Sequence, residues 1–202
     1  GAGFVYSHLG TSHQSTEDIA VTRAIPNLII LSPADRFEMT SCMNLAYDSN
    51  LSVYLRIGKS DVGDVHKNLP VLKLGDLLNI RSNQSKIHFI ATGSMVKTAL
   101  KVAEEFDHAS VSSAPCLKPI NKEQVLEICN NNEIVITLEE HSIFGGLGSI
   151  ISEIASETSK AKVLRIGVED RFTEYCGTYE YLLKEQGLDL SSVRSKIKNF
   201  YK

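Results

Sequence analysis

The stretch Thr11-Ser12-His13-Gln14-Ser15-Thr16-Glu17-Asp18-Ile19-Ala20 runs on through Arg23-Ala24-Ile25-Pro26-Asn27 and Leu28-Ile29-Ile30-Leu31 to Pro33-Ala34-Asp35. It holds one full cycle of the pattern that the rest of the chain repeats. Ser15 or Thr16 reads as an N-cap, with Glu17 and Asp18 suited to the positive end of a short helix. Arg23 suits the opposite end. Four consecutive apolar residues at 28–31, bounded by Pro26 and Pro33, read as a buried strand. Asp35 with Glu38 then reads as a capping box that opens the next helix.

The same alternation continues outward. Further apolar runs stand at 53–57, 87–91, 109–114, 134–138 and 163–168. Between them Met39, Cys42, Met43 and Ala46 fall at helical spacing. So do Val96, Ala99, Leu100 and Ala103, and most cleanly Leu147, Ile150, Ile151, Ile154 and Ala155. Asn121 with Gln124 reads as a second capping box and Ser94 as an N-cap. A last helix is expected to start near Ser191 and bury Val193, Ile197 and Phe200. Strands alternating with helices predict an α/β protein with a largely parallel sheet and right-handed crossovers.

The polar stretch 58–70 (GKSDVGDVHKNLP) breaks the pattern and reads as a linker. The expected division is 1–60, a linker at 61–70, and 71–202. The last part holds enough strands and helices for a complete small domain. Residues 1–57 offer only two strands, which would leave open edges and little buried area. Their sheet is therefore expected to take strands from elsewhere.

At 202 residues with 43% apolar content the chain fits a globular protein. A net charge of −3 gives nucleic acid binding no electrostatic support. No apolar run nears the roughly 18–20 residues that span a bilayer. Residues 1–10 lack the cationic and long apolar regions of a signal peptide. The chain does not begin with methionine, so a processed or cloned fragment is expected. Cys42, Cys116, Cys129 and Cys176 form no CxxC pair and read as buried, reduced thiols of a cytoplasmic protein. The six histidines show no metal-ligand spacing.

Two places carry chemistry. His13 lies on a loop before a helix, where an imidazole can face a cleft and donate or accept a proton. Arg56 ends a predicted strand, and ligands of open α/β sheets sit beyond carboxyl strand ends. The string Thr137-Leu138-Glu139-Glu140-His141-Ser142-Ile143-Phe144-Gly145-Gly146-Leu147-Gly148-Ser149 follows a strand and opens a helix, whose amides could bind an anion. It is not GxGxxG, and tight helix-on-sheet packing through the glycines is the structural reading. Glu139, Glu140 and His141 would then line a domain or subunit contact.

The ordered series Ser12-His13-Gln14, Glu17-Asp18-Ile19-Ala20, Arg23-Ala24-Ile25-Pro26-Asn27 and Pro33-Ala34-Asp35 resembles the second half of the pyrimidine-binding domain of transketolases. Glu139-Glu140-His141 with Gly145-Gly146-Leu147-Gly148-Ser149 resembles the signature of their C-terminal domain. Together the two cover nearly the whole chain. The resemblance implies an incomplete parallel-sheet segment at 1–60, followed by a three-layer α/β/α domain at 71–202. It implies an enzyme that moves a two-carbon ketol unit between sugar phosphates with thiamine diphosphate and Mg2+ or Ca2+. It gives His13 a substrate-facing catalytic role and Arg56 the substrate phosphate, with a surface or ion-paired arginine as the alternative reading of Arg56. His8 is open between a loop residue and a second substrate contact. Ser12 replaces the usual threonine, and Leu55-Arg56-Ile57 stands where Ser-Arg-Gln is usual.

No Gly-Asp-Gly…Asn motif for metal and diphosphate exists in this chain, and the activating glutamate is expected upstream of Gly1. The chain alone is therefore expected to bind no cofactor tightly, to need an N-terminal section or subunit, and to work as a homodimer. Deoxyxylulose-phosphate synthases and the beta subunits of 2-oxo-acid dehydrogenases are related alternatives. A non-catalytic dimerisation or regulatory module is the alternative of another class.

Overall fold

A computed structural model describes residues 1–59 and 62–201. The boundary expected at Ser60 and Asp61 lies outside the described residues.

The chain opens with a loop, then α1 (Asp18–Arg23), β1 (Leu28–Leu31), α2 (Arg36–Asp48) and β2 (Ser52–Leu55). The Asp35 carboxylate caps α2 by accepting from the Phe37 and Glu38 amides. The other arm of the box is displaced by one residue, since Glu38 accepts from the Ala34 amide at 2.7 Å. The face expected to bury Met39, Cys42, Met43 and Ala46 is only partly covered. Cys42 is buried, whereas Met43 is half exposed.

There follow β3 (Leu78–Arg81), β4 (Ile87–Ala91), α3 (Met95–Ala103), β5 (Ser110–Ser113), β6 (Cys116–Lys118) and α4 (Lys122–Asn131). Then come β7 (Ile134–Ser142), α5 (Leu147–Thr158), β8 (Lys162–Val168), α6 (Tyr179–Glu185) and α7 (Leu190–Phe200). Five strands form one sheet in the order β3-β5-β4-β7-β8. Four of them are parallel, and β3 joins β5 antiparallel at the edge. Alternate side chains feed opposite layers. Phe89 and Ala91 pack with α3, α6 and α7, while Ile90 packs with α4 and α5. This is the expected three-layer α/β/α domain. Each large apolar side chain fully buried here contributes about 1.5–3 kcal/mol.

A second sheet has the order β2-β1-β6. β1 and β2 are parallel, and β6 runs antiparallel to β1 with Ile30 opposite Lys118. The short first sheet thus takes its third strand from beyond the expected linker. Ile19 and Ile30 share a core with Leu117, Val135 and Ile151. The first segment and the larger sheet are packed against each other through this core.

Some local expectations fail for identifiable reasons. α1 has Glu17 at its N-cap with no side-chain cap, because the Thr16 hydroxyl donates to Glu17 Oε1 at 2.7 Å instead. Ser94 caps nothing: its backbone is already helical, and its hydroxyl donates to Glu140. Asn121 does cap α4, but Gln124 accepts from the Leu77 amide rather than closing a box. Asn130 and Asn131 close α4. Asp189 caps α7, which buries Val193 and Ile197 and leaves Phe200 at its exposed end. Three cysteines are buried as expected, whereas Cys176 is exposed.

Candidate active site and its buried support

The loop that carries the histidines is closed at its base. Gly3 and Ser15 exchange amide-to-carbonyl hydrogen bonds of 2.8 and 3.0 Å, and the Ala2 amide donates to the Ile57 carbonyl at 2.9 Å. Phe4 is buried beneath. Above it stand two single 3-10 turns, Ser7–Leu9 and Thr11–His13. Gly10 joins them at φ 82° and ψ −178°, a conformation essentially reserved for glycine. His8 and His13 sit on these turns with exposed side chains. Ser12 Oγ lies 3.1 Å from His13 Nδ1. The segment after β8 buttresses the loop: Gly177 N donates to Ser7 O at 3.3 Å, and Thr173 Oγ1 to Gln14 Oε1 at 2.9 Å.

Arg56 does not present itself to a cleft. It is 4% exposed, with Nε 2.8 Å from Asp18 Oδ2. Its Nη2 donates to the carbonyls of Ser15 at 3.0 Å and Glu140 at 2.9 Å. Tyr54 also donates to Asp18 Oδ2, at 2.9 Å. This geometry runs against the phosphate expected on Arg56. The guanidinium instead ties together the strand end, the first turn of α1 and the loop base.

The three residues Glu139, Glu140 and His141 are all buried. Glu139 accepts from the Leu147 amide at 2.7 Å and the Gly148 amide at 2.8 Å. The anion expected at the start of α5 is therefore the protein's own carboxylate. Burial pushes the Glu139 carboxyl up to about 7 against the pull of those two amides. A side chain at Gly146 would run into that carboxylate and come within 2.6 Å of His141 Nδ1, which is why glycine stands there. Gly148 is likewise closed in by Thr137 and Arg165. His141 Nδ1 donates to the Ser142 carbonyl at 2.8 Å, and Nε2 accepts from the Ala20 amide at 3.2 Å. Both ring nitrogens are thus used by a neutral imidazole. Burial, with the Arg56 charge second, holds its pKa below the ordinary value.

Glu140 faces the other layer. Oε1 accepts from the Phe4 amide at 2.6 Å, and Oε2 accepts from the hydroxyls of Ser94 and Tyr179. Ser94 and Tyr179 carry no local signal as its partners, because both contacts are long-range.

Clefts lie at both ends of the sheets. One of about 230 Å3 lies beyond the carboxyl ends of β1 and β2, lined by Pro33, Ala34, Ile57, Lys59, Asp64 and Ser94 among others. The other, about 560 Å3, opens at the amino ends of β4 and β5. There His88 Nε2 lies 2.8 Å from Ser112 Oγ, and burial holds His88 at about 4. Among the described residues no three His, Cys, Asp or Glu side chains converge as a metal site. Among them, no helix is long and apolar enough to cross a membrane.

Comparison with known proteins agrees with these motifs. The model of the transketolase pyrimidine-binding domain matches residues 2–64, and that of the transketolase C-terminal domain matches 76–193. A protein from Methanocaldococcus jannaschii assigned as a transketolase C-terminal section is 33% identical over 203 residues, covering 97% of this chain and 63% of its own length. The 1-deoxy-D-xylulose-5-phosphate synthase of Pasteurella multocida is 33% identical over 193 residues, covering 95% of this chain and 31% of the synthase. A solved split-gene transketolase, described as an inactive β4 tetramer, superposes with a TM-score of 0.87 at 32% identity, over 94% of this chain and 63% of that one. Leishmania mexicana transketolase shares the fold at a TM-score of 0.74 and 18% identity, over 96% of this chain and 28% of its own. The chain thus spans between about a third and two thirds of the length of these relatives. With both family models matched in order along the sequence, the chain belongs to the transketolase family and corresponds to its C-terminal part.

Proposed function

We propose that this chain is the C-terminal section of a thiamine-diphosphate-dependent transketolase, transferring a two-carbon ketol unit between sugar phosphates with an N-terminal section as partner. The observation that carries this reading is the exposed His13 on a loop rigid at its base, inside the segment matched by the pyrimidine-domain model. Residues 1–60 would supply the end of that domain and 71–202 the C-terminal domain. Matches at 2–64 and 76–193 support this division. In the reaction His13 orients the sugar and exchanges a proton with one of its hydroxyls. His8 stands on the adjoining turn as a further contact.

The residues of this chain do not fit the cofactor by themselves. The described residues offer no metal-ligating cluster, and the glycine-rich start of α5 is filled by Glu139. Thiamine diphosphate and its Mg2+ or Ca2+ would need residues from outside this chain. These groups belong with the partner section, and the assembled enzyme is taken as a homodimer.

A second reading, deoxyxylulose-phosphate synthesis, is favoured by the identity to the Pasteurella synthase. One experiment separates the two. The chain is combined with its N-terminal section and thiamine diphosphate, and products are followed by chromatography and mass. Ketol transfer between sugar phosphates supports the first reading. Formation of 1-deoxy-D-xylulose 5-phosphate supports the second and overturns the first. Neither product from a folded, cofactor-loaded complex removes both.

A further inference from the structure

We infer that Glu140 is a positioning residue, which holds the histidine loop in register from inside the C-terminal domain. This rests on the function proposed above for His13, and it goes beyond it by assigning a role to a carboxylate that touches no substrate.

Glu140 is buried, on the inner strand β7. A carboxylate in such a place is costly unless its oxygens are fully used. Here they are. Oε2 takes the hydroxyls of Ser94, just before α3, and Tyr179, in the first turn of α6. Those two donors fix the carboxylate to the C-terminal domain. Oε1 then points at one target outside that domain, the Phe4 amide, at 2.6 Å. Phe4 adjoins Gly3, and Gly3 is paired with Ser15 on both sides of its peptide. The side chain thus holds the first end of the 3–15 loop directly and the second through the Gly3–Ser15 pairing. The carbonyl of the same Glu140 accepts from Arg56, which also holds Ser15. Gly3 lies at φ +53°, and a side chain there would collide with the Glu140 carboxylate. The glycine is needed for this close approach.

The chemistry also predicts which replacement is tolerated. A glutamine at 140 can keep its carbonyl on the Phe4 amide. Its amide nitrogen then faces Ser94 and Tyr179, whose hydroxyls can turn and accept. An alanine leaves the Phe4 amide buried without an acceptor.

The test compares Glu140→Ala, Glu140→Gln and a control, Val193→Ala, in the full chain. Val193 is buried on α7, in the same apolar core as Phe4, and makes no hydrogen bond to the loop. The primary readout is amide hydrogen exchange in residues 3–16, alongside global unfolding. The account predicts that E140A loses protection there by about 10-fold or more. E140Q should stay within about 3-fold of the parent. V193A should lose global stability with loop protection falling only in proportion. With the N-terminal section added, E140A should lose kcat/KM for the ketose and E140Q recover most of it. Unchanged loop protection in E140A overturns the inference, as does an equal loop-specific loss in V193A. If E140A does not fold, loop exchange in E140Q and in Tyr179→Phe decides. Parent-like protection in E140Q with a measurable loss in Y179F supports the inference, and parent-like protection in Y179F sinks it. Because exchange needs no substrate, this outcome is independent of whether the assembled enzyme transfers a ketol unit.

Discussion

The five-stranded sheet and the three-stranded sheet solve the same problem differently. The larger one is covered on both faces mainly by helices α3 to α7, with Phe4, Ile19 and Ile30 of the first segment joining its cores. The smaller one borrows β6 from the far side of the chain. Its loop base is held by hydrogen bonds from Arg56, Glu140 and His141 in addition to the burial of Phe4. The difference shows how a loop with exposed histidines can be held at its base. A region whose rigidity comes from buried hydrogen bonds does not need to cover its histidines to hold them.

If that contrast is right, the largest loss should come from the polar seam. Arg56→Ala strands the Asp18 carboxylate and removes donors from Ser15 and Glu140. We expect about 3–5 kcal/mol of destabilisation by urea unfolding. A loss below about 1 kcal/mol would break the comparison. Gly146→Ala comes next, since its added methyl meets both Glu139 and His141. About 1–3 kcal/mol is expected by the same measurement. Gly148→Ala should cost less, because its methyl would lie 2.8 Å from Thr137 Oγ1 and 2.9 Å from the Arg165 side chain.

Titration distinguishes the regions by sign. Glu139, at the seam, rises to about 7 in the fold from an ordinary 4.5. Its contribution is complete below pH 4.5 and is lost as pH climbs through 7. His88, in the larger sheet, falls to about 4 from 6.5. Its contribution is complete above pH 6.5 and is lost as pH falls through 4. Between pH 4.5 and 6.5 the two oppose each other. Glu139→Gln should therefore make stability rise with pH across that window more steeply than in the parent. Parallel curves would contradict the assignment. The smallest effect is expected at the periphery of the larger core: Phe200→Ala should cost less than about 1 kcal/mol, far less than Ile197→Ala at about 2–5 kcal/mol.

Much of the larger sheet was legible from sequence because its parallel strands are continuous apolar runs. β4 falls where the run at 87–91 placed it, and β7 extends its run through Ser142. β3, Leu-Asn-Ile-Arg, and β6, Cys-Leu-Lys, were not legible. Short, half-polar strands that pair antiparallel carry too little periodicity to stand out. The family motifs and the exposed turn of His13 were readable at the start of the chain. The support beneath it was not. Glu139 caps a helix that begins eight residues later, and Glu140 reaches back 136 residues to Phe4. Local capping patterns do not report such pairings. The same holds for Arg56: its position at a strand end is visible in the sequence, and its buried partner Asp18 is not.

The most direct test is the effect of His13→Ala on ketol transfer by the chain combined with its N-terminal section. The account predicts transfer in the parent complex and a loss of about 100-fold or more in the variant, with unfolding and complex formation unchanged. Parent-like transfer by a folded His13→Ala complex would contradict it.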